Sequence, residues 1–115
     1  MILGSSPSLP PDSLQCLRAA LRQFAAARDW ERFHLPKNIA MALIVEAAEL
    51  VEHFQWLTPE QSGNLDAAQR AEVADEIADV LLYLVRMADV LDVDPVEAAR
   101  AKMIKNALKY PAPKP

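Results

Sequence analysis

Four carboxylates in two short patterns are the residues of this chain best placed to do chemistry. Glu46 and Glu49 flank Ala47-Ala48, and Glu76 and Asp79 flank Ile77-Ala78. Residues three apart on a helix share a face, so each pair projects two carboxylates in one direction. Both pairs lie in apolar stretches, the first among Ile44, Val45, Leu50 and Val51 and the second among Ile77, Val80 and Leu81. Ala47 and Ala48 keep the space beside the first pair small. If the two helices run antiparallel as neighbours, the pairs face each other across a groove. Four carboxylates gathered there repel strongly unless a cation neutralises them. A donor set made only of oxygen favours a hard ion, so Mg²⁺ or Mn²⁺ is expected ahead of zinc. Mg²⁺ keeps part of its water shell and binds substrate phosphates, which suits a partly open site. Acids on a helix face are also often only solvated, and the spacing alone leaves that reading open. A di-iron bundle would want Glu-x-x-His on two helices. Only His53 lies near, four residues after Glu49, and the helix of the second pair has no histidine.

A second group of residues could hold a ligand beside such a site. Trp30 and Trp56 are the only tryptophans, and each falls at a helix end. Flat aromatics there could stack on a base, as single-strand binders do at about 1–3 kcal/mol per base, or simply pack the hinges. Tyr83 follows Asp79 by four residues and so shares the acidic face. Lys102 offers a point charge for a phosphate. Asn106, four residues on, shares its face and offers an amide for sugar or phosphate oxygens. Both also suit a solvated helix surface near Lys105 and Lys109. His34 reads as structural beside the Trp30 turn. His53 reads as a hydrogen-bond partner of Glu49 or a solvated helix-end residue.

These side chains need helices to position them, and the sequence supplies helices almost exclusively. The chain of 115 residues is 52% hydrophobic and 24% charged, which suits one globular domain with a real core. Two glycines argue against a strand-and-turn fold and against a glycine-rich phosphate loop. One cysteine, Cys16, excludes an internal disulfide framework and a cysteine zinc cluster. A net charge of −4 excludes a generic basic binder of polymeric nucleic acid. The stretch around Val80–Val90 is broken by Arg86 and Asp89 and is too short and too charged to span a bilayer. Met1–Pro11 lacks the positive and apolar regions of a secretory signal, so the cytoplasm is the expected compartment.

The expected domain covers residues 12–110, between a tail at 1–11 and a proline-punctuated tail at 111–115. Four helices are predicted. The first runs from about Ser13 to Asp29, with Leu14, Leu17, Leu21 and Phe24 at helical spacing and Asp12 or Ser13 as N-cap. The second opens at Pro36 and runs to about Trp56. Thr58-Pro59-Glu60-Gln61 reads as a capping box opening a short helical turn. The third runs from about Asp66 to Leu91. Asp94-Pro95-Val96-Glu97 reads as a further capping box opening the fourth, which ends near Lys109 before Pro111. The third helix is apolar around most of its circumference between Ile77 and Ala88. A helix of that kind is buried all round. A lone four-helix chain of this size would leave one such face wet, so a homo-oligomer, a dimer at least, is expected, the alternative being a central helix fully covered within one chain.

Taken in order, these motifs resemble the MazG-type all-α nucleoside triphosphate pyrophosphohydrolases. The pattern is Glu46-x-x-Glu49, then residues 50–75, then Glu76-x-x-Asp79. The dCTP pyrophosphatase branch is the more similar. Its likeness runs through Phe24 to Trp30, Glu31-x-Phe33-His34-x-Pro36-x-Asn38, Phe54-Gln55-Trp56, Asp79-Val80-Leu81-x-Tyr83, Lys102-Met103-x-x-Asn106 and Tyr110-Pro111. The likeness spans about residues 14–111. It implies an all-α, four-helix bundle that assembles as a dimer or dimer of dimers. It implies Mg²⁺-dependent cleavage of a nucleoside triphosphate to the monophosphate and pyrophosphate. By motif position it implies Glu46, Glu49, Glu76 and Asp79 as metal ligands. Trp30 and Trp56 would then stack on the base, with Tyr83, Lys102 and Asn106 facing the nucleotide. The chain departs from the branch at Leu21, where a histidine is often found near the base. A phosphoribosyl-ATP-type pyrophosphohydrolase, and a helical interaction module without activity, stand as the alternatives.

Overall fold

The computed structural model describes residues 13–114 and is all-α among them. Helix α1 spans Leu14–Ala27, a 3-10 turn spans Glu31–Phe33, and α2 spans Pro36–Glu52. Short α3 covers Pro59–Ser62, α4 Ala67–Val90 and α5 Pro95–Lys109. The expected tail at 1–11, Asp12 as a cap, and Pro115 lie outside the described residues. Helix α4 packs along α2 and, over less of its length, against α1. Ala25, Ile39, Val73 and Val85 are the buried apolar residues of this three-helix core.

The caps follow from side-chain chemistry. Ser13 accepts from the Cys16 amide at 3.0 Å and starts α1. Thr58 and Gln61 form the expected capping box, and Asp66 with Gln69 forms another that opens α4. At α5 only half of the expected box exists. Asp94 accepts from the Val96 and Glu97 amides, at 3.0 and 3.1 Å, and no bond returns from Glu97 to the Asp94 amide.

Two helices end earlier than periodicity predicts. Helix α2 stops at Glu52 because the next amides turn back by three residues, His53 to Leu50 and Phe54 to Val51. Helix α1 stops at Ala27 in a Schellman motif. The Trp30 amide donates to the Ala25 carbonyl at 2.9 Å and the Asp29 amide to Ala26 at 3.2 Å. Asp29 takes the left-handed conformation, φ 54°. The hydrophobic contact that accompanies this motif is Trp30 edge-on to Phe24, ring centroids 5.5 Å apart. The C-terminus of α4 repeats the motif with Asp92 at φ 54° and the Val93 amide on the Ala88 carbonyl. A left-handed backbone costs a residue with a Cβ roughly 1–2 kcal/mol, and glycine gives back part of that gain as unfolded-chain entropy. Asp92→Gly is therefore expected to stabilise the fold by about 0.5–1 kcal/mol, read as a higher midpoint in urea. A lower midpoint would show that the carboxylate does more there than cap a turn.

Helix α4 is not covered all round within one chain. Ile77, Leu81 and Leu84 form one exposed stripe on it, and Met41, Ile44, Val45 and Val51 are exposed on α2. Helix α5 stands off the core, with Leu108 81% exposed. The radius of gyration is 18.0 Å, against about 13 Å for a compact domain of this length.

Candidate active site between α2 and α4

The α2–α4 pairing brings the two carboxylate patterns together. One oxygen from each of Glu46, Glu49 and Glu76 lies within 4.8 Å of the others. Asp79 falls outside that tight group, but its charge acts on Glu46 and the two residues border one cavity. Glu46 Oε2 and Glu76 Oε2 are buried and have no hydrogen-bond partner. Buried acceptors of this kind are costly unless a donor or cation meets them. Desolvation, then the neighbouring carboxylates, push the Glu46 carboxyl up from 4.5 to about 7. Glu76 is raised as well, by desolvation first. The donor set is oxygen only and fits a hard divalent cation.

A pH dependence follows. Below about pH 4.5 the Glu46 carboxyl is protonated in the folded and the unfolded chain alike. Between 4.5 and about 7 the unfolded chain ionises while the folded chain holds its proton, so stability is lost across that window. Asp89 does not confuse the reading. The hydrogen bond from Arg22, foremost, holds it below its ordinary 3.8, so its contribution is already in place above that pH. His34, held below its ordinary 6.5 by burial and then Arg86, works the other way, so the dependence is read against Glu46→Gln. Without metal, the melting temperature of the native chain should fall relative to that of the variant from pH 5 to pH 7.5. Saturating Mg²⁺ should reduce that fall, since a ligand of the native state adds stability. A native melting temperature that rises relative to that of Glu46→Gln from pH 5 to 7.5 without metal would contradict the cluster's electrostatics.

A cavity of about 280 Å³ opens beside the carboxylates. Leu21, Phe24 and Leu82 form its apolar wall, Trp30 and Tyr83 line it, and Glu46 and Asp79 border it. Ala25, His34 and Arg86 complete the lining. Two of the expected ligand-facing residues, Trp30 and Tyr83, are thus at the site. Trp56, 87% exposed, and Lys102 and Asn106 on the exposed α5 do not line this cavity. His53 Nδ1 lies 3.9 Å from Glu72 Oε2, so its nearest acid is not Glu49. His34, which by sequence reads as structural, lines the cavity and accepts a hydrogen bond from Arg86. Arg86 itself is legible in the sequence only as a charge interrupting an apolar run. The spacing Asp79, Tyr83, Arg86 puts all three on one helix face, which is the signal that finds it. A larger cavity of about 360 Å³ near Ser13, Arg18 and Arg100 holds none of these residues.

Fold and site together define an all-α protein with a carboxylate cluster clasped between two packed helices beside an aromatic cavity. The chain belongs to the MazG-like family, whose model matches residues 41–115. It is similar to dCTP pyrophosphatase 1 of Homo sapiens, 42% identical over 105 residues, which is 90% of this chain and 62% of that protein. The Mus musculus protein of the same name is 40% identical over 104 residues, 89% of this chain and 61% of its own. The chain thus spans about three-fifths of the length of these relatives. The crystal structure of a pyrophosphatase from Archaeoglobus fulgidus superposes with a TM-score of 0.83 at 38% identity, covering 93% of this chain and 100% of that one. No described helix is long and apolar enough to cross a membrane.

Proposed function

We propose that this chain is a Mg²⁺-dependent nucleoside triphosphate pyrophosphohydrolase, acting on dCTP or a modified deoxycytidine triphosphate and yielding the monophosphate and pyrophosphate. The observation that carries the reading is the cluster of Glu46, Glu49 and Glu76 with two buried, unpartnered oxygens. Relatives named as dCTP pyrophosphatases point the same way. Glu46, Glu49 and Glu76 would hold Mg²⁺ (or Mn²⁺), with Asp79 beside them. When bound, such an ion neutralises phosphate oxygens and lowers the pKa of a coordinated water. Glu49 orients the attacking water and takes its proton. Trp30 and Tyr83 hold the base and sugar in the cavity, and the apolar wall that includes Leu21 excludes water from it. The cytoplasm is the compartment proposed for this activity.

The site is completed by a second copy of the chain, in a homodimer or homotetramer. What supports this is the set of uncovered apolar residues on α2, α4 and α5. Extended apolar patches on a protein surface mark interaction sites. Trp56, Lys102 and Asn106, remote from the cavity of their own chain, then serve as the stacking and phosphate-facing residues of an assembled site.

The test is direct. Purified protein is incubated with Mg²⁺ and each common ribo- and deoxynucleoside triphosphate, together with 5-methyl-dCTP, and the products are resolved. Monophosphate plus pyrophosphate, fastest from the cytosine deoxynucleotides, is the expected result. Pyrophosphate release with another base preferred would keep the reaction and move the specificity. No turnover of any triphosphate would overturn the proposal.

A further inference from the structure

One buried cation has no part in the proposed reaction. Arg86, on α4, is 9% exposed. Its Nε donates to His34 Nδ1 at 2.9 Å and its Nη1 to Asp89 Oδ2 at 3.3 Å. Asp89 in turn accepts from both Arg22 Nε, at 2.7 Å, and Arg22 Nη2. A guanidinium has only donors and stays protonated, so the nitrogen that meets it must carry a lone pair. That identifies His34 Nδ1 as the unprotonated ring nitrogen. In a neutral imidazole the proton is then on Nε2.

Resting on the reading that the cavity receives the nucleoside of the substrate, we propose that Arg86 is a positioning residue. It locks His34 in its Nε2–H tautomer, so that His34 presents an N–H donor to an acceptor atom of the bound nucleoside. The chain of contacts is built for that. The paired charge of Asp89 compensates the buried guanidinium, and Arg22 of α1 clamps Asp89 from the other side. The aromatic turn holds the imidazole edge-on to Trp30, ring centroids 6.4 Å apart. An imidazolium would set an N–H against the Nε–H of Arg86 and add a second positive charge. Burial, and then Arg86, accordingly lower the His34 pKa. Once ionised, as when a cation neutralises the cluster, Glu46 and Asp79 bring only acceptors to the same cavity. His34 and Arg86 are its counterweight. The ligand this combination reads carries a ring nitrogen or carbonyl oxygen on the edge that meets His34.

The experiment is long-range ¹H–¹⁵N correlation of the imidazole rings in the uniformly labelled full chain. There are two histidines, and His53→Gln assigns the remaining set to His34. The Nε2–H pattern at neutral pH is expected, and addition of deoxycytidine monophosphate should shift the Nε2–H signal. An Nδ1–H pattern, or averaging of the two tautomers, would overturn the proposal. The second measurement is kinetic. Arg86→Leu, which removes the donor, should raise KM by about 10-fold with kcat changed far less, and Arg86→Gln, whose amide can still donate, should recover part of it. A fall in kcat at constant KM would overturn the positioning role. If the native protein cleaves no triphosphate, the functional reading fails. The tautomer and its response to Arg86→Gln then still decide the lock.

Discussion

Glu49→Gln should lower Mg²⁺-dependent pyrophosphate release by on the order of 100- to 10,000-fold, the span usual for a lost acid–base group, while the fold stays intact. The substitution keeps the volume of the side chain and removes one negative charge from three carboxylates crowded within 4.8 Å. Its effect on the metal-free protein should therefore be the opposite of damage. Repulsion falls and Glu46 ionises more easily, because the charge on Glu49 is one of the forces that raise it. The melting temperature without metal should rise, and the increment produced by Mg²⁺ should shrink. Loss of turnover together with a lower metal-free melting temperature would mean that Glu49 supports the fold rather than the chemistry. Full turnover in this variant would remove the carboxylate cluster from the reaction.

If the chain assembles with a second copy, as proposed, Leu108→Glu should separate the subunits. Leu108, Met103 and Ile104 are exposed on a helix that makes little contact with its own chain, so a charge there has no internal core to disturb. The expected result is a sedimentation coefficient shifted to the monomer, with helical content nearly unchanged. If a second copy completes the site, turnover falls by on the order of 100-fold, since misplaced binding groups alone can have that effect. A monomer that retains full turnover would confine the active site to one chain. A variant that stays oligomeric would move the interface away from α5, to the exposed stripes of α2 and α4.

Residue spacing by itself determines much of this protein. The i, i+3 spacing of Glu46 with Glu49 and of Glu76 with Asp79 is enough to put each pair on one helix face, because helical geometry is local. The same holds for the Thr58 capping box, whose hydrogen bonds join residues close in sequence, and for the entry of Pro36 into α2, where the ring fixes the backbone for a first helical turn. The stop of α1 is harder to read. Periodicity carries the helix to Asp29, whereas it ends at Ala27, because Asp29 occupies a left-handed position where glycine is the usual signal.

Tertiary structure decided the rest. That Glu46, Glu49 and Glu76 form a tight group, with Asp79 set apart, depends on the rotation and register of α2 against α4, which no periodicity states. The tautomer of His34 depends on Arg86, 52 residues away in sequence, and a lone histidine beside a turn carries no sign of that partner. Helical faces are written by local spacing. Which faces meet, and how far burial then shifts the groups on them, is a property of packing across the whole chain.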